Sequence, residues 1–239
     1  MQAIAPVWWD WLVVALLCVG APALSALVSV PAIRALPRAQ QDKARPRLYF
    51  NIMANLVVFG TAALLPWLLR DEPLHAIGLG APGEMWLWAA GGMAALAVLV
   101  LTQRAMIRSN PDGRAAVRRQ LRKVRWVIPR TRGELALWAL ICVLAGIGEE
   151  LLYRGYLFAL ASHFMPDLSA GALVTLMFGL AHAYQGCRGV MYTAVVGAGF
   201  MALAWFSGSL WLPMLAHALY DWHAGTLGRW ALYGRYEPT

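Results

Sequence analysis

Apolar runs of about 20 residues recur along the chain, and each is long enough to cross a hydrocarbon core roughly 30 Å thick as an α-helix. No other feature constrains the fold as tightly. In lipid, backbone N–H and C=O groups must be satisfied internally, which leaves helices and closed barrels as the only spanning structures. A barrel strand alternates apolar and polar residues, whereas these runs are apolar on all sides. Composition agrees: 60% of the 239 residues are hydrophobic and only 13% are charged, against about a quarter charged in a soluble domain. The expectation is an all-α fold, a polytopic transmembrane helical bundle of about seven spans. They lie near residues 9–30, 49–69, 84–103, 134–160, 169–185, 190–206 and 210–227. The fourth is long, and Gly146 and Gly148 are the expected place for a break. Pro66 and Pro213 are expected kinks, which membrane helices tolerate.

The basic residues predict an orientation. With the N-terminus outside, 18 of the 20 Lys and Arg residues fall in cytoplasmic loops. One loop holds Arg34, Arg38, Lys43, Arg45 and Arg47, and the segment 104–132 holds ten more. Arg188, Arg229 and Arg235 complete the set. Arg70 sits at an outer helix end and Arg154 lies inside a span. The positive-inside rule then gives N-out/C-in. The net charge of +8 is therefore read as topology, with the lipid bilayer as partner and no nucleic acid. No Lys or Arg precedes Arg34, so the first segment reads as a retained helix and not as a cleavable signal.

Three regions follow: N-terminal helices over 1–106, a basic cytoplasmic loop over 107–132, and a C-terminal core over 133–228. In the loop, Pro111, Asp112 and Gly113 make a turn. Arg114 to Val127 is a candidate interfacial helix with Val117, Leu121 and Val124 on one face. A topogenic loop without a partner is the favoured reading, ahead of an arm lying on anionic lipid. Cys18, Cys142 and Cys187 lack a CxxC spacing and read as small core residues. Trp8, Trp9, Trp11, Trp67, Trp86, Trp88 and Trp211 fit an aromatic belt at the outer ends. Ala194, Gly197 and Gly199 read as small packing residues. His75, His163 and His223 read as interfacial.

Ionisable groups inside a membrane are costly, at least roughly 2.5–3.5 kcal/mol at a helix centre, and they usually mark a pathway or a reaction. Here they come in three packets: Glu149-Glu150 through Arg154, Phe178 through His182, and His217 through Asp221. Glu150 and Arg154 are four apart, share a face and can pair. Glu149 is turned about 100° from Glu150, which leaves it free to act as a general base or acid. His217 and Asp221 project from one face of another helix, and His182 comes from a third. Glu149, His182, His217 and Asp221 are expected to converge on one water molecule, in a polar cavity open toward the cytoplasm.

EExxxR, FxxxH and HxxxN or HxxxD, in that order on membrane helices, resemble the CAAX protease and bacteriocin-processing (CPBP) family, whose best-known members are type II CAAX prenyl endopeptidases. The resemblance covers roughly residues 134–225. It implies that Glu149 and His182 activate the attacking water. It implies that His217 and Asp221 stabilise the oxyanion, and that Glu150 and Arg154 support the site, with Phe178 completing the FxxxH motif. Asp221 stands where the eukaryotic enzymes have Asn. An ionised carboxylate cannot donate a hydrogen bond, so Asp221 is protonated, orients His217, or binds a divalent metal such as zinc with Glu149, His182 and His217.

The function expected from this resemblance is an intramembrane endopeptidase that hydrolyses a peptide bond in a membrane-associated or exported polypeptide. The expected location is a bacterial cytoplasmic membrane. A non-catalytic binding or immunity protein of the same family is the first alternative. A proton-coupled transporter is the second, ranked lower because such transporters carry inverted repeats and none is visible here.

Overall fold

The computed structural model describes residues 3–110 and 112–234. Pro111 of the expected turn and Arg235 of the expected C-terminal basic pair lie outside the described residues. Among those residues the chain is helical throughout, without strands. Helix α1 spans Trp8–Ala35, α2 Arg38–Leu68 and α3 Trp86–Ser109. The short α4 spans Gly113–Gln120. Helix α5 spans Arg132–Ala161, α6 Asp167–Ala181, α7 Cys187–Ser207 and α8 Trp211–Tyr233.

Five of these helices, α1, α2, α3, α5 and α7, are long and apolar enough to cross a membrane. Helix α6 is apolar but shorter, and α8 carries the His217–Asp221 packet and is less apolar along its 23 residues. The seven expected spans thus correspond to seven helices, of which five have the length and hydropathy of a span.

Helix α5 is the central element and packs on α2 and α8; α6 lies against its C-terminal half and pairs with α7, which packs on α3 and α8. Two glycines let the neighbouring backbones approach. A Cβ at Gly146 would lie 2.5 Å from the Met214 carbonyl oxygen on α8, and one at Gly148 would lie 2.5 Å from that of Leu56 on α2. These glycines therefore seat the helix and do not break it. The irregularity falls later, where Leu151–Leu157 widens into a π-helical segment. The same widening occurs in α1, at Val14–Gly20 and Ser25–Ser29.

The basic arm of the first loop is also different from expectation. Helix α2 begins at Arg38, not near residue 49, so Arg38, Lys43, Arg45 and Arg47 lie on the helix. Arg45 is buried and pairs with Asp42 at 2.5 Å and Glu134 at 3.0 Å. Glu134 also caps α5: it accepts from the Arg130 and Thr131 amides while Thr131 accepts from the Glu134 amide. A buried cation with two carboxylate partners can be accommodated where an unpaired one cannot. Helix α4 is likewise shorter than the expected 114–127 helix, because the chain tightens into two 3₁₀ turns at Leu121–Lys123 and Arg125–Val127.

Several interfacial assignments change with burial. Trp8, Trp11, Trp86, Trp88 and Trp211 are exposed, as a belt requires, but Trp67 is fully buried and Cys187 is exposed. Gly197 is a contact residue, whereas a Cβ at Gly199 would meet nothing within 4 Å, so Gly199 has no packing role. His223 faces Arg104, which also donates to Thr226 Oγ1 at 2.9 Å.

Helix α1 is held by a buried carboxylate. Asp10 is fully buried and accepts hydrogen bonds from the Val7 amide, the Arg70 guanidinium and the Tyr156 hydroxyl. Asp10→Ala leaves the buried Tyr156 hydroxyl without its acceptor and the part-buried Arg70 guanidinium without its carboxylate, and the expected loss of stability is roughly 1.5–3 kcal/mol. Thermal unfolding in detergent measures this, and an unchanged midpoint would contradict the role given to Asp10.

Candidate functional site

The site is assembled where the π-helical segment of α5 begins. Because Glu149 and Glu150 are consecutive on a helix, their side chains diverge, and the two carboxylates do different things. Glu150 Oε1 accepts from Arg154 Nη1 at 2.9 Å and from His217 Nδ1 at 2.7 Å. Both Glu150 and Arg154 are fully buried. Arg154 Nη2 donates to the Gly197 carbonyl at 2.9 Å, and its guanidinium lies over the Phe178 ring, 4.3 Å from the centroid. Gly197 is required there, since a Cβ would sit 2.8 Å from both Arg154 Nη2 and Phe178.

His217 is the hub. A carboxylate at Nδ1 fixes the proton on that nitrogen, so Nε2 is the reactive face of the ring. That face looks at two carboxylates: Glu149 Oε2 is 3.8 Å from Nε2 and Asp221 Oδ2 is 3.6 Å from it. The ring is stacked on Phe200 at 4.8 Å and meets Phe178 edge-on at 5.8 Å, which locks its plane. The side chains become more exposed along α8, from 5% at His217 to 32% at Asp221, and Glu149 keeps 15%.

His182 caps the end of α6. Its Nδ1 lies 2.9 Å from the Phe178 carbonyl; a carbonyl can only accept, so Nδ1 carries the proton and Nε2 is free to accept. The Phe178 ring centroid is 5.0 Å from that of His182 and 5.8 Å from that of His217. Among the described residues no hydrogen bond or ion pair joins His182 to Glu149.

The structure thus brings Glu149, Glu150, Arg154, His217 and Asp221 into one cluster, with the Phe178 ring against both His217 and His182. Glu150 does more than pair with Arg154, because it also holds His217 directly. Two contributors escape a reading of motifs. Phe200 stacks on His217 but is one apolar residue among many in α7. Trp138 Nε1 donates to the Asp221 carbonyl at 3.3 Å, from a position eleven residues before Glu149 in the chain.

A catalytic zinc site needs three protein ligands converging at about 2.0–2.2 Å for nitrogen and oxygen donors. Among the described residues no group of three or more His, Cys, Asp or Glu side chains is arranged to hold a metal ion. His217 Nδ1 is engaged by Glu150, and His182 Nδ1 by the Phe178 carbonyl. The donor set does not fit the metal centre considered from sequence.

These features define an integral membrane helical bundle with a buried carboxylate–imidazole cluster in its C-terminal half. Residues 131–223 match the family model described as type II CAAX prenyl endopeptidase Rce1-like, which is the resemblance that the three packets carry. The match spans α5 to α8 up to His223 and contains every residue of the cluster. Comparison with curated proteins gave no match, and neither did comparison with solved structures.

Proposed function

We propose that the protein is an intramembrane endopeptidase that hydrolyses a peptide bond in a membrane-associated or exported polypeptide. The observation that carries this reading is the environment of His217: Nδ1 on Glu150, Nε2 between Glu149 and Asp221. Packing alone gives no reason to place two carboxylates around one free imidazole nitrogen inside an apolar bundle, whereas hydrolysis needs a base, an oxyanion donor and a rigid support in one place.

In the proposed reaction, a water between Glu149 and His217 loses its proton to Glu149 as its oxygen attacks the scissile carbonyl. His182, with Nε2 free, accepts a hydrogen bond from the far side of the substrate and orients it. His217, protonated at both nitrogens, donates from Nε2 to the developing oxyanion. Asp221 holds that imidazolium in register and need not donate to the oxyanion itself. Glu149 then delivers the proton to the leaving amine, and the tetrahedral intermediate collapses. Glu150 and Arg154 act through His217 by fixing its ring. A family match to proteases supports the same class of reaction.

The test is comparative proteomics of membrane and secreted fractions from a deletion strain expressing wild type or Glu149→Ala. A precursor that accumulates only with the variant is expected. Identical profiles at equal protein levels would sink the proposal.

The proposed orientation is N-out/C-in, with the site reached from the basic, cytoplasmic end, toward which exposure rises along α8. A reporter fused after Arg114 should read cytoplasmic and one near Glu72 external. The opposite reading at either position would reverse the topology.

A further inference from the structure

Six basic side chains, Arg34, Arg38, Arg118, Arg122, Lys123 and Arg125, line a cavity of about 610 Å³, with Trp126 alongside them and no acidic residue in its wall. They come from two stretches of chain far apart in sequence: the end of α1 with the start of α2, and the region from α4 to the 3₁₀ turns. Several are fixed in place. Arg34 donates from Nε and Nη2 to the Lys123 carbonyl at 3.0 and 2.6 Å, and from Nη2 to the Tyr184 carbonyl at 2.7 Å. Arg118 Nε donates to the Ala231 carbonyl at 2.6 Å, and Arg125 lies 6.0 Å from the Tyr233 ring centroid. Lys123 Nζ sits over Gly186, where a Cβ would come within 2.5 Å of it.

These partners are carbonyls and a ring, none of which neutralises a cation. The ion pairs of the described residues belong to other cations, Arg45, Arg70, Arg130 and Arg154 among them, and none involves these six. Five of the six are exposed and Arg125 is half-buried, so the cavity is open to a ligand from solvent or from the membrane surface. Holding six around one cavity raises the potential there and calls for an anion.

The depth of the cavity says which anion. Arg34 ends the apolar helix α1 and Arg38 opens α2, so the cavity lies where both helices leave the hydrocarbon. Leu27 is seven residues before Arg34, about two turns along the same face, and it is 76% exposed, with Val28 at 56% and Leu24 at 59%. An apolar stripe leading up to a cationic cavity is complementary to acyl chains below a phosphate. We propose that this cavity binds the phosphate headgroup of an anionic phospholipid. Bound there, the headgroup ties the 121–127 segment to α1 and to the α6–α7 connection, which begins at His182. The basic segment is then a lipid site and not merely a topogenic loop.

Thermal unfolding of the purified full-length protein in neutral detergent tests this without reference to any catalytic activity. Added dioleoylphosphatidylglycerol is expected to raise the midpoint, while dioleoylphosphatidylcholine and inorganic phosphate at equal concentration leave it unchanged. Arg38→Gln with Arg122→Gln removes two charges that make no side-chain hydrogen bond or ion pair among the described residues. At roughly 1 kcal/mol per basic residue near an anionic surface, it should weaken phosphatidylglycerol binding by about 30-fold. Should that double variant lose its fold, Arg122→Glu alone carries the test, with the same loss of the lipid-induced shift expected. An equal shift with phosphatidylcholine, or a full shift in the folded variant, would overturn the proposal. So would an equal shift with inorganic phosphate, or displacement of the lipid by a peptide with a free C-terminal carboxylate but not by its amide.

Discussion

Glu150→Ala should cost about 3–5 kcal/mol of stability, because it leaves a fully buried guanidinium without its carboxylate. Against a typical total of about 5–15 kcal/mol, that is enough to reduce the amount of folded protein in the membrane sharply. Arg154→Ala should have a comparable effect, softened because Glu150 retains the His217 Nδ1 contact. The double variant should lose less than the sum of the two singles, since neither charge is then stranded. Detergent unfolding of the four proteins measures the coupling, and strictly additive losses would show that the pair does not interact. The large cost of breaking the pair is not a measure of what the pair contributes, because desolvating both ions offsets much of their attraction. Its role is positional: Glu150 accepts from both Arg154 and His217 through one oxygen, and so links α5 to α8 at the level of the site.

Glu149→Gln is expected to lower the rate of peptide hydrolysis by about 10²–10⁴-fold, the range for removal of a general base, with little change in stability. Glutamine keeps the volume and the hydrogen-bonding reach but cannot take a proton. The side chain is 15% exposed and, unlike Glu150, makes no short hydrogen bond among the described residues, so no buried partner is stranded. Unfolding midpoints and cleavage of the precursor, measured on the same preparations, separate the two effects. Wild-type cleavage by Glu149→Gln would remove Glu149 from the mechanism.

The contrast between these neighbouring glutamates was largely legible in the sequence. Ionisable residues stand out against apolar spans, and helical spacing separates the face of Glu150 and Arg154 from that of Glu149. Spacing within one helix also places His217 and Asp221 together. What spacing cannot give is the pairing between helices. Glu150 bonding to His217 joins residues 67 apart, and Asp10 meeting Tyr156 joins residues 146 apart; both depend on the packing of several helices at once. Phe200 was invisible because an aromatic residue in an apolar helix carries no mark of what it stacks on. The start of α2 is hidden in the sequence for a related reason. The basic stretch from Arg38 to Arg47 reads as a solvated loop until Asp42 and Glu134 are found beside Arg45. The π-helical turn after Glu150 has no compositional signature, and the two glycines before it drew attention as a break when their smallness serves close packing.

The proposed reaction requires Glu149 and His217 to act as parts of one hydrolytic device. A double-mutant cycle on the purified protein and its precursor tests that most directly, with cleavage rates for wild type, Glu149→Gln, His217→Asn and the double variant. Residues that act as a unit are strongly non-additive, so the double variant should be no slower than the slower single, with folding of all four verified by their unfolding midpoints. Losses that multiply, or a folded Glu149→Gln that cleaves at the wild-type rate, would contradict the assignment of these two side chains to a common reaction.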